Sequence, residues 1–323
     1  MWKLLADVLD YHRSLIGDRA RVDAFRAAIF ASVRPGDVVL DIGTGSGLLS
    51  LFACQAGAAH VYAVEQGVVA DLAEVLFRDN DASDRISLIR AKSNAIALPE
   101  CVDVVVSETL WNLGLGEGIV ATLSDAAKRF LKPGGRIIPS EFQLHVAPVM
   151  APDVYGRISD WDGAPYGMDL SSARRMAVNN LYRAVLGTDG LLSAPSCVGR
   201  VELGGALTPL MGEAEFRVDR DGVMHGLGGW FRAQLAPSIS LTNEPPNPSP
   251  SWKQAFMPIE EPLRVKPGDT LRVEVQCLAD ESAWRWTVRH LTHSPDDFWT
   301  AERCSDHTTL GGFPTARQRL SAP

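Results

Sequence analysis

Two stretches of this chain carry acids at spacings that could do chemistry. In the first, VVLDIGTGSGLLSLFACQAGAAHVYAVE (residues 38–65), Asp41 precedes Gly43, Gly45 and Gly47, and Glu65 closes the stretch. The order G-x-G-x-G differs from the G-x-G-x-x-G of a dinucleotide fingerprint, and no lysine follows as a P-loop requires. Asp41 and Glu65 would repel a pyrophosphate. They would attract the sulfonium and amino groups of S-adenosylmethionine (SAM), and Glu65 can accept both ribose hydroxyls. The ligand these residues describe is SAM.

In the second stretch, SETLWNLGLGEG, Glu108 and Glu117 stand nine positions apart around a loop containing Gly114 and Gly116. Acids at a loop base are ordinarily solvated. Here Glu108 follows the apolar run Val102–Val106, which reads as a buried strand, and ligands of open parallel sheets sit outside the carboxyl ends of such strands.

Regular elements must hold both stretches. Val38–Ile42 reads as a two-sided strand, and Leu48, Leu49, Phe52, Ala53 and Ala56 fall at helical spacing with Gly57 at the C-terminus. His60 to Val64 returns as a strand. Residues 12–33 have helical texture, with Asp18 and Arg21 read as a solvated ion pair on its polar face. Val68 to Phe77 reads as helix, Arg85 to Ala91 as strand, and Ile119 to Leu131 as a helix stopped by Pro133-Gly134-Gly135, with Arg136 to Pro139 opening a further strand. This alternation predicts a doubly wound, Rossmann-like α/β SAM domain over residues 1–140. A mostly antiparallel, β-barrel-like domain is expected over 141–323. Within it DLSSARRMAVNNLYRAV reads as helix, Asp219 to Gly222 as a turn between two strands, and TNEPPNPSPSW as a loop. Trp284, Trp286 and Val288 read as one core-facing side of a strand.

Composition narrows the partners. The 323 residues carry a net charge of −8 with 46% hydrophobic and 22% charged side chains. This suits a globular protein with a cationic substrate and argues against nucleic acid or an anionic membrane as the main partner. The N-terminal stretch, with Asp7 and Asp10, does not read as a signal peptide. Five scattered cysteines without C-x-x-C indicate neither zinc nor disulfides. A cytoplasmic setting is expected.

With these motifs in hand, the chain resembles the protein arginine methyltransferase family from about residue 11 to about 290. VLDIGTGSG with VYAVE resembles its cofactor motif, SETLWNLGLGE its double-glutamate loop, and LKPGGRIIPS the segment closing its methyltransferase half. WDGAPYGMDLSS resembles its dimerisation arm and SWKQAFMPIEEPLRVKPGD its substrate rim. The resemblance implies a homodimer joined through an arm at about 153–187. It assigns Arg21 to the SAM carboxylate, with His12 lining the same pocket; Gly43, Gly45 and Asp41 belong to the cofactor turn. Glu65 would take the ribose, and the Lys92–Asn94 segment, with Ser93 and Asn94, the adenine edge. Glu108 and Glu117 would clamp the substrate guanidinium, flanked by Trp111 and Trp252. A guanidinium stays protonated, its pKa above ~12, and two carboxylates can fix its plane through bidentate hydrogen bonds.

Four departures bear on the substrate. No Tyr-Phe-x-x-Tyr precedes the first helix, where only Met1 to Asp10 stand, with Trp2. The family's Thr-His-Trp becomes Pro250-Ser251-Trp252, removing the histidine that would pair with Asp18, and Asn94 replaces an adenine-contacting acid. Thr109-Leu110-Trp111 stands where Trp-Met-Gly is expected. The lid is expected to be shortened or rebuilt. The primary expectation is methylation of a small cationic guanidino compound, free L-arginine first. The alternative is an arginine residue in a protein; a non-catalytic SAM-binding scaffold, or methylation of another amine or oxygen, would leave the two glutamates unexplained.

Overall fold

A computed structural model describes residues 2–116, 118–163, 165–246, 251–278, 283–293 and 299–309. It opens with two helices, α1 (Trp2–Gly17) and α2 (Arg19–Ser32), where the sequence pattern suggested one. Asp18 makes the break. Its side chain caps α2 by accepting from the Arg21 N–H at 3.3 Å, and it is almost wholly buried. The expected solvated Asp18–Arg21 pair is therefore not what forms: the carboxylate is used as a cap, and the Arg21 guanidinium turns elsewhere.

The next eight elements, with the two helices before them, build one layered unit. They are β1 (Val38–Ile42), α3 (Leu48–Gln55), β2 (His60–Val64), α4 (Ala70–Asp79), β3 (Ile86–Ile89), β4 (Val102–Ser107), α5 (Ile119–Phe130) and β5 (Leu131–Ile138), with α1 and α2 before them. The five strands are parallel in the order β3-β2-β1-β4-β5. Every residue of β1 is buried, as a strand covered by helices on both faces demands. Helix α5 lays Ile119, Val120, Leu123, Ala126 and Phe130 into the core. The strand order reverses between β1 and β4, which makes the space beyond their carboxyl ends the topological switch point where such sheets bind ligands. The Pro133-Gly134-Gly135 segment does not separate helix from strand. It forms a bulge inside β5, since Leu131 pairs Val102 and Arg136 pairs Val104.

Beyond residue 140 the chain is antiparallel. After β6 (Glu141–Val149) come α6 (Pro152–Ser159), α7 (Ser171–Val178) and β7 (Tyr182–Ala184). The expected long helix therefore ends at Val178. Asn179 closes it by donating from Nδ2 to the Arg175 carbonyl at 2.8 Å, and the residues after it are drawn into pairing with a neighbouring strand. Eight strands complete the fold: β8 (Ser196–Glu202), β9 (Leu210–Arg217), β10 (Gly222–Ala236), β11 (Ile239–Thr242), β12 (Gln254–Val265), β13 (Thr270–Cys277), β14 (Trp284–His293) and β15 (Trp299–Thr308). They form a six-stranded sheet, β7-β12-β10-β6-β8 with β11 on β10, and a four-stranded sheet, β15-β14-β13-β9.

The two sheets share a core. Trp284, Trp286 and Val288 face it as expected, and the Trp286 indole donates to the Pro258 carbonyl of the opposite sheet at 2.8 Å. The turn at Asp219–Gly222 carries the chain from the four-stranded sheet to the six-stranded one and is not a hairpin. Val218 and Asp219 donate their backbone N–H groups to the Asp269 and Leu192 carbonyls, which holds the turn open between the sheets. Among the described residues no helix is long and apolar enough to cross a membrane.

Candidate active site

Two adjoining cavities open beyond the carboxyl ends of β1, β2 and β4. One, of about 360 Å³, is lined by His12, Arg21, Gly43, Gly45, Glu65, Glu108, Trp111 and Trp252. The other, of about 670 Å³, is lined by Lys92, Ser93, Asn94 and Thr122, and shares Gly43, Glu65, Gln66 and Thr109 with the first. All the expected cofactor residues but one therefore border a continuous space. Glu117 lies outside the described residues.

The residues around the glycine turn are placed by its close geometry. Gly45 adopts φ +56, and a Cβ there would meet the His12 ring at 2.9 Å, so the helix α1 can close over the turn only because this position is glycine. Glu65 reaches back across the turn. Its carboxylate accepts from the Gly45 N–H at 3.1 Å and the Gly67 N–H at 2.7 Å, which orients it at the junction of the two cavities. Burial lowers the His12 pKa, opposed by the nearby Glu65 carboxylate and assisted by Arg21.

The exception is Asp41. It borders neither cavity but lies fully buried behind the turn, where its Oδ2 accepts from the hydroxyls of Thr44 at 2.6 Å and Ser50 at 2.7 Å. Its first effect is thus to brace the glycine turn. Burial raises its pKa to about 6 against the hydrogen bonds of Thr44 and Ser50, which lower it. A folded pKa above the ordinary carboxyl value of 3.8 means that Asp41 contributes stability which is complete below about pH 4 and is lost as pH rises through about 6. Asp41→Asn should therefore gain stability relative to the parent between about pH 4 and pH 6 and hold that gain above it. Urea melts across this range check it; parallel curves would refute it.

Arg21 and Glu108 meet in the centre of the first cavity. The Arg21 Nη2 donates to Glu108 Oε2, Nη1 donates to the Leu15 carbonyl at 3.1 Å, and the guanidinium lies 5.8 Å from the Trp252 ring centroid. Burial lowers the Arg21 pKa to about 10, so it remains a cation at neutral pH. Ser107, just before Glu108, is pinned by its hydroxyl to the Ile42 carbonyl at 2.9 Å, which ties the end of β4 to the end of β1.

The loop after Glu108 is held by residues that sequence reasoning did not single out. Asn112 is buried and donates to the Trp252 carbonyl at 2.6 Å, while the Asn243 amide donates to the Asn112 carbonyl at 2.9 Å and accepts from the Phe231 N–H at 2.9 Å. Gln254 joins them, donating to the Asn243 carbonyl at 2.6 Å. Gly114, at φ +82, lets the loop lie against Phe142, 2.8 Å from where a Cβ would stand. Asn112 and Asn243 are 131 residues apart, so no local pattern could have shown that they meet. Trp252 is itself mostly structural: buried, edge-on to Phe231, and donating its indole N–H to the Leu110 carbonyl at 2.8 Å. The histidine missing before it is replaced in function by the Ser251 backbone N–H, which donates to Asp18 at 3.3 Å.

The residues fit SAM. Arg21 Nε, on a side chain that lines the first cavity, is a buried donor with no hydrogen-bond partner among the described residues. That donor suits the carboxylate of the ligand, and Glu65, which borders both cavities, offers a carboxylate to its hydroxyls. A parallel sheet ordered 3-2-1-4-5, with this turn at its switch point, defines a SAM-dependent methyltransferase.

Comparisons with known proteins make the class specific. Residues 26–142 match the model of a methyltransferase family, described as ribosomal protein L11 methyltransferase (PrmA), and residues 141–292 match the arginine methyltransferase oligomerization subdomain. The chain is 31% identical to protein arginine N-methyltransferase 6 of Danio rerio over 286 residues, covering 84% of this chain and 82% of that protein. It is 30% identical to the histone-arginine methyltransferase CARMER of Anopheles gambiae, where it spans 46% of that longer protein. Among solved structures it shares a fold with protein arginine methyltransferase 10 of Arabidopsis thaliana, at a TM-score of 0.81 and 24% identity over 94% of this chain and 100% of that one. The chain belongs to the protein arginine N-methyltransferase family. It is a SAM-dependent arginine methyltransferase.

Proposed function

We propose that this enzyme methylates arginine residues in a protein substrate, with Glu108 and Glu117 holding the target guanidinium. The observation that carries the reading is that Glu108, at the end of β4 and beside the cofactor turn, already holds a guanidinium, that of Arg21. Bound SAM supplies a methyl group on a positively charged sulfur. The chain's own contribution is to position and polarise. Two carboxylates draw the guanidinium charge toward the nitrogens they bind and leave another nitrogen richer in electrons. Fixing that nitrogen in place can supply up to ~7–11 kcal/mol of the barrier. Arg21, shared between Glu108 and the cofactor carboxylate, would keep the two halves of the site in register.

The primary expectation of free arginine has less support. The relatives named above are protein and histone methyltransferases, and two of the four departures that suggested a small substrate are compensated. Helix α1 begins at Trp2 and brings Tyr11 and His12 to the cavity, and the Ser251 amide keeps the tie to Asp18. Mass spectrometry after incubation with SAM tests the choice directly, using Arg/Gly-rich peptides and free L-arginine in parallel. Methylated peptide is expected; product from free arginine alone would overturn the reading.

On this reading the chain divides into a cofactor unit, 1–140, and a substrate-side unit, 141–323, and works as a homodimer through the arm at about 153–187. The arm leaves Trp161 (43%), Tyr166 (97%) and Met168 (62%) exposed, a set of large apolar side chains that an interface would cover. Tyr166→Glu should convert a dimer to a monomer in sedimentation velocity; an unchanged dimer would place the interface elsewhere.

A further inference from the structure

The cavity around Glu108 also takes in Arg183, which nothing in the chemistry above employs. Arg183 lies on β7, a short strand held in place by β12 through the pair Arg183–Ala255. Its Nη2 donates to the Ser251 carbonyl, in the segment that leads into Trp252. That is one of the five N–H donors of a guanidinium. Among the described residues Arg183 makes no ion pair.

The two arginines of this cavity are therefore in opposite situations. Arg21 is largely covered, with a side chain 13% exposed, and is neutralised by Glu108, itself 8% exposed. Arg183 is exposed at the rim and carries an uncompensated charge. An unpaired cation beside an acidic pocket in a protein of net charge −8 lowers the attraction for a purely cationic ligand. It raises the attraction for one that bears both charges. The remaining donors of a planar fork match a carboxylate in two parallel hydrogen bonds.

Resting on the arginine-methylation reading above, we propose that Arg183 selects substrates carrying a carboxylate close to the target guanidinium. Glu108 takes the guanidinium at depth, and Arg183 takes the anionic group at the rim. Three sources present the same chemistry: an Asp or Glu side chain beside the target arginine, the free carboxylate of a C-terminal arginine, and the α-carboxylate of free arginine. Hydrogen bonds to charged groups at a rim suffice for about tenfold selectivity.

The test is steady-state kinetics of the full chain with SAM on matched substrates. These are amidated peptides with Asp or Asn next to a single arginine, peptides ending in arginine as acid or amide, and free L-arginine against L-argininamide. The parent is expected to favour at least one carboxylate-bearing member over its neutral counterpart about tenfold in kcat/KM, mainly through KM. Arg183→Leu should collapse that ratio to near one, and Arg183→Lys should retain most of it. Which pair shows the effect identifies the source of the carboxylate. Equal rates on acid and neutral members would overturn the proposal while leaving arginine methylation intact. So would a uniform loss across all members in Arg183→Leu, since a residue that only braces Ser251 would act that way. Methylation of no member would overturn the arginine reading and this inference together.

Discussion

Glu108→Gln is expected to lower kcat by roughly 10²–10³-fold on the best substrate, with a smaller change in the KM for SAM. The substitution keeps the size of the side chain and one acceptor for the Arg21 guanidinium, but it removes the charge. In the cavity that charge has two uses: it holds Arg21 in a largely buried pair, and it draws positive charge toward the nitrogens of the substrate it clamps. Only the second is stronger in the transition state than in the ground state, so its loss appears in kcat. Deleting one partner of a buried pair outright costs about 3–5 kcal/mol, and glutamine, which keeps a hydrogen bond, should cost less. Rates and a thermal melt measured on the same preparation separate the effects. A rise in substrate KM at constant kcat would show that Glu108 contributes uniform binding alone, and the clamp mechanism would fall.

The second large effect is expected far from the chemistry in sequence. Asn243→Leu removes the acceptor for the Phe231 N–H and the donor to the Asn112 carbonyl, both in the buried interior. Leaving two buried groups unsatisfied at about 1–3 kcal/mol each predicts a loss of roughly 2–6 kcal/mol, a large share of a typical domain's stability. Asn243→Asp keeps the acceptor but loses the amide donor, so it should fall between the parent and the leucine variant. Urea denaturation gives the order. Because Asn112 lies in the loop that follows Glu108, kcat/KM should fall in the same order as stability. Full activity in a destabilised Asn243→Leu protein would mean that the amide network supports the fold without setting the site.

How much of this was legible beforehand follows from the range of the forces involved. The glycine turn, Glu65 and the strand ending at Glu108 depend on backbone geometry within a few residues, and periodicity identifies them without any tertiary knowledge. Asp18 reads as surface from sequence because it is a polar residue inside a helical pattern. Its burial comes from the cap of α2 and from the Ser251 loop, more than 230 residues further on. The segment after Val178 reads as helix because its local propensity allows one. Pairing with β12 supplies backbone hydrogen bonds that the isolated segment cannot value. Asp41 reads as a ligand contact from its position in the turn, whereas the direction of its side chain is decided by two hydroxyls, Thr44 and Ser50, that both donate to its Oδ2.

By itself, then, the order of residues determined the parallel sheet, the SAM-binding turn and the acid that leaves β4, since each is written in short-range pattern. Tertiary structure alone decided three things. It turned Arg21 onto Glu108, it fastened the loop after Glu108 through Asn112, Asn243 and Gln254, and it brought Arg183 to the rim of the same cavity. The physical reason is common to all three. A buried charge or amide must find a partner wherever the folded chain presents one, and that partner's position is a property of packing across the whole molecule.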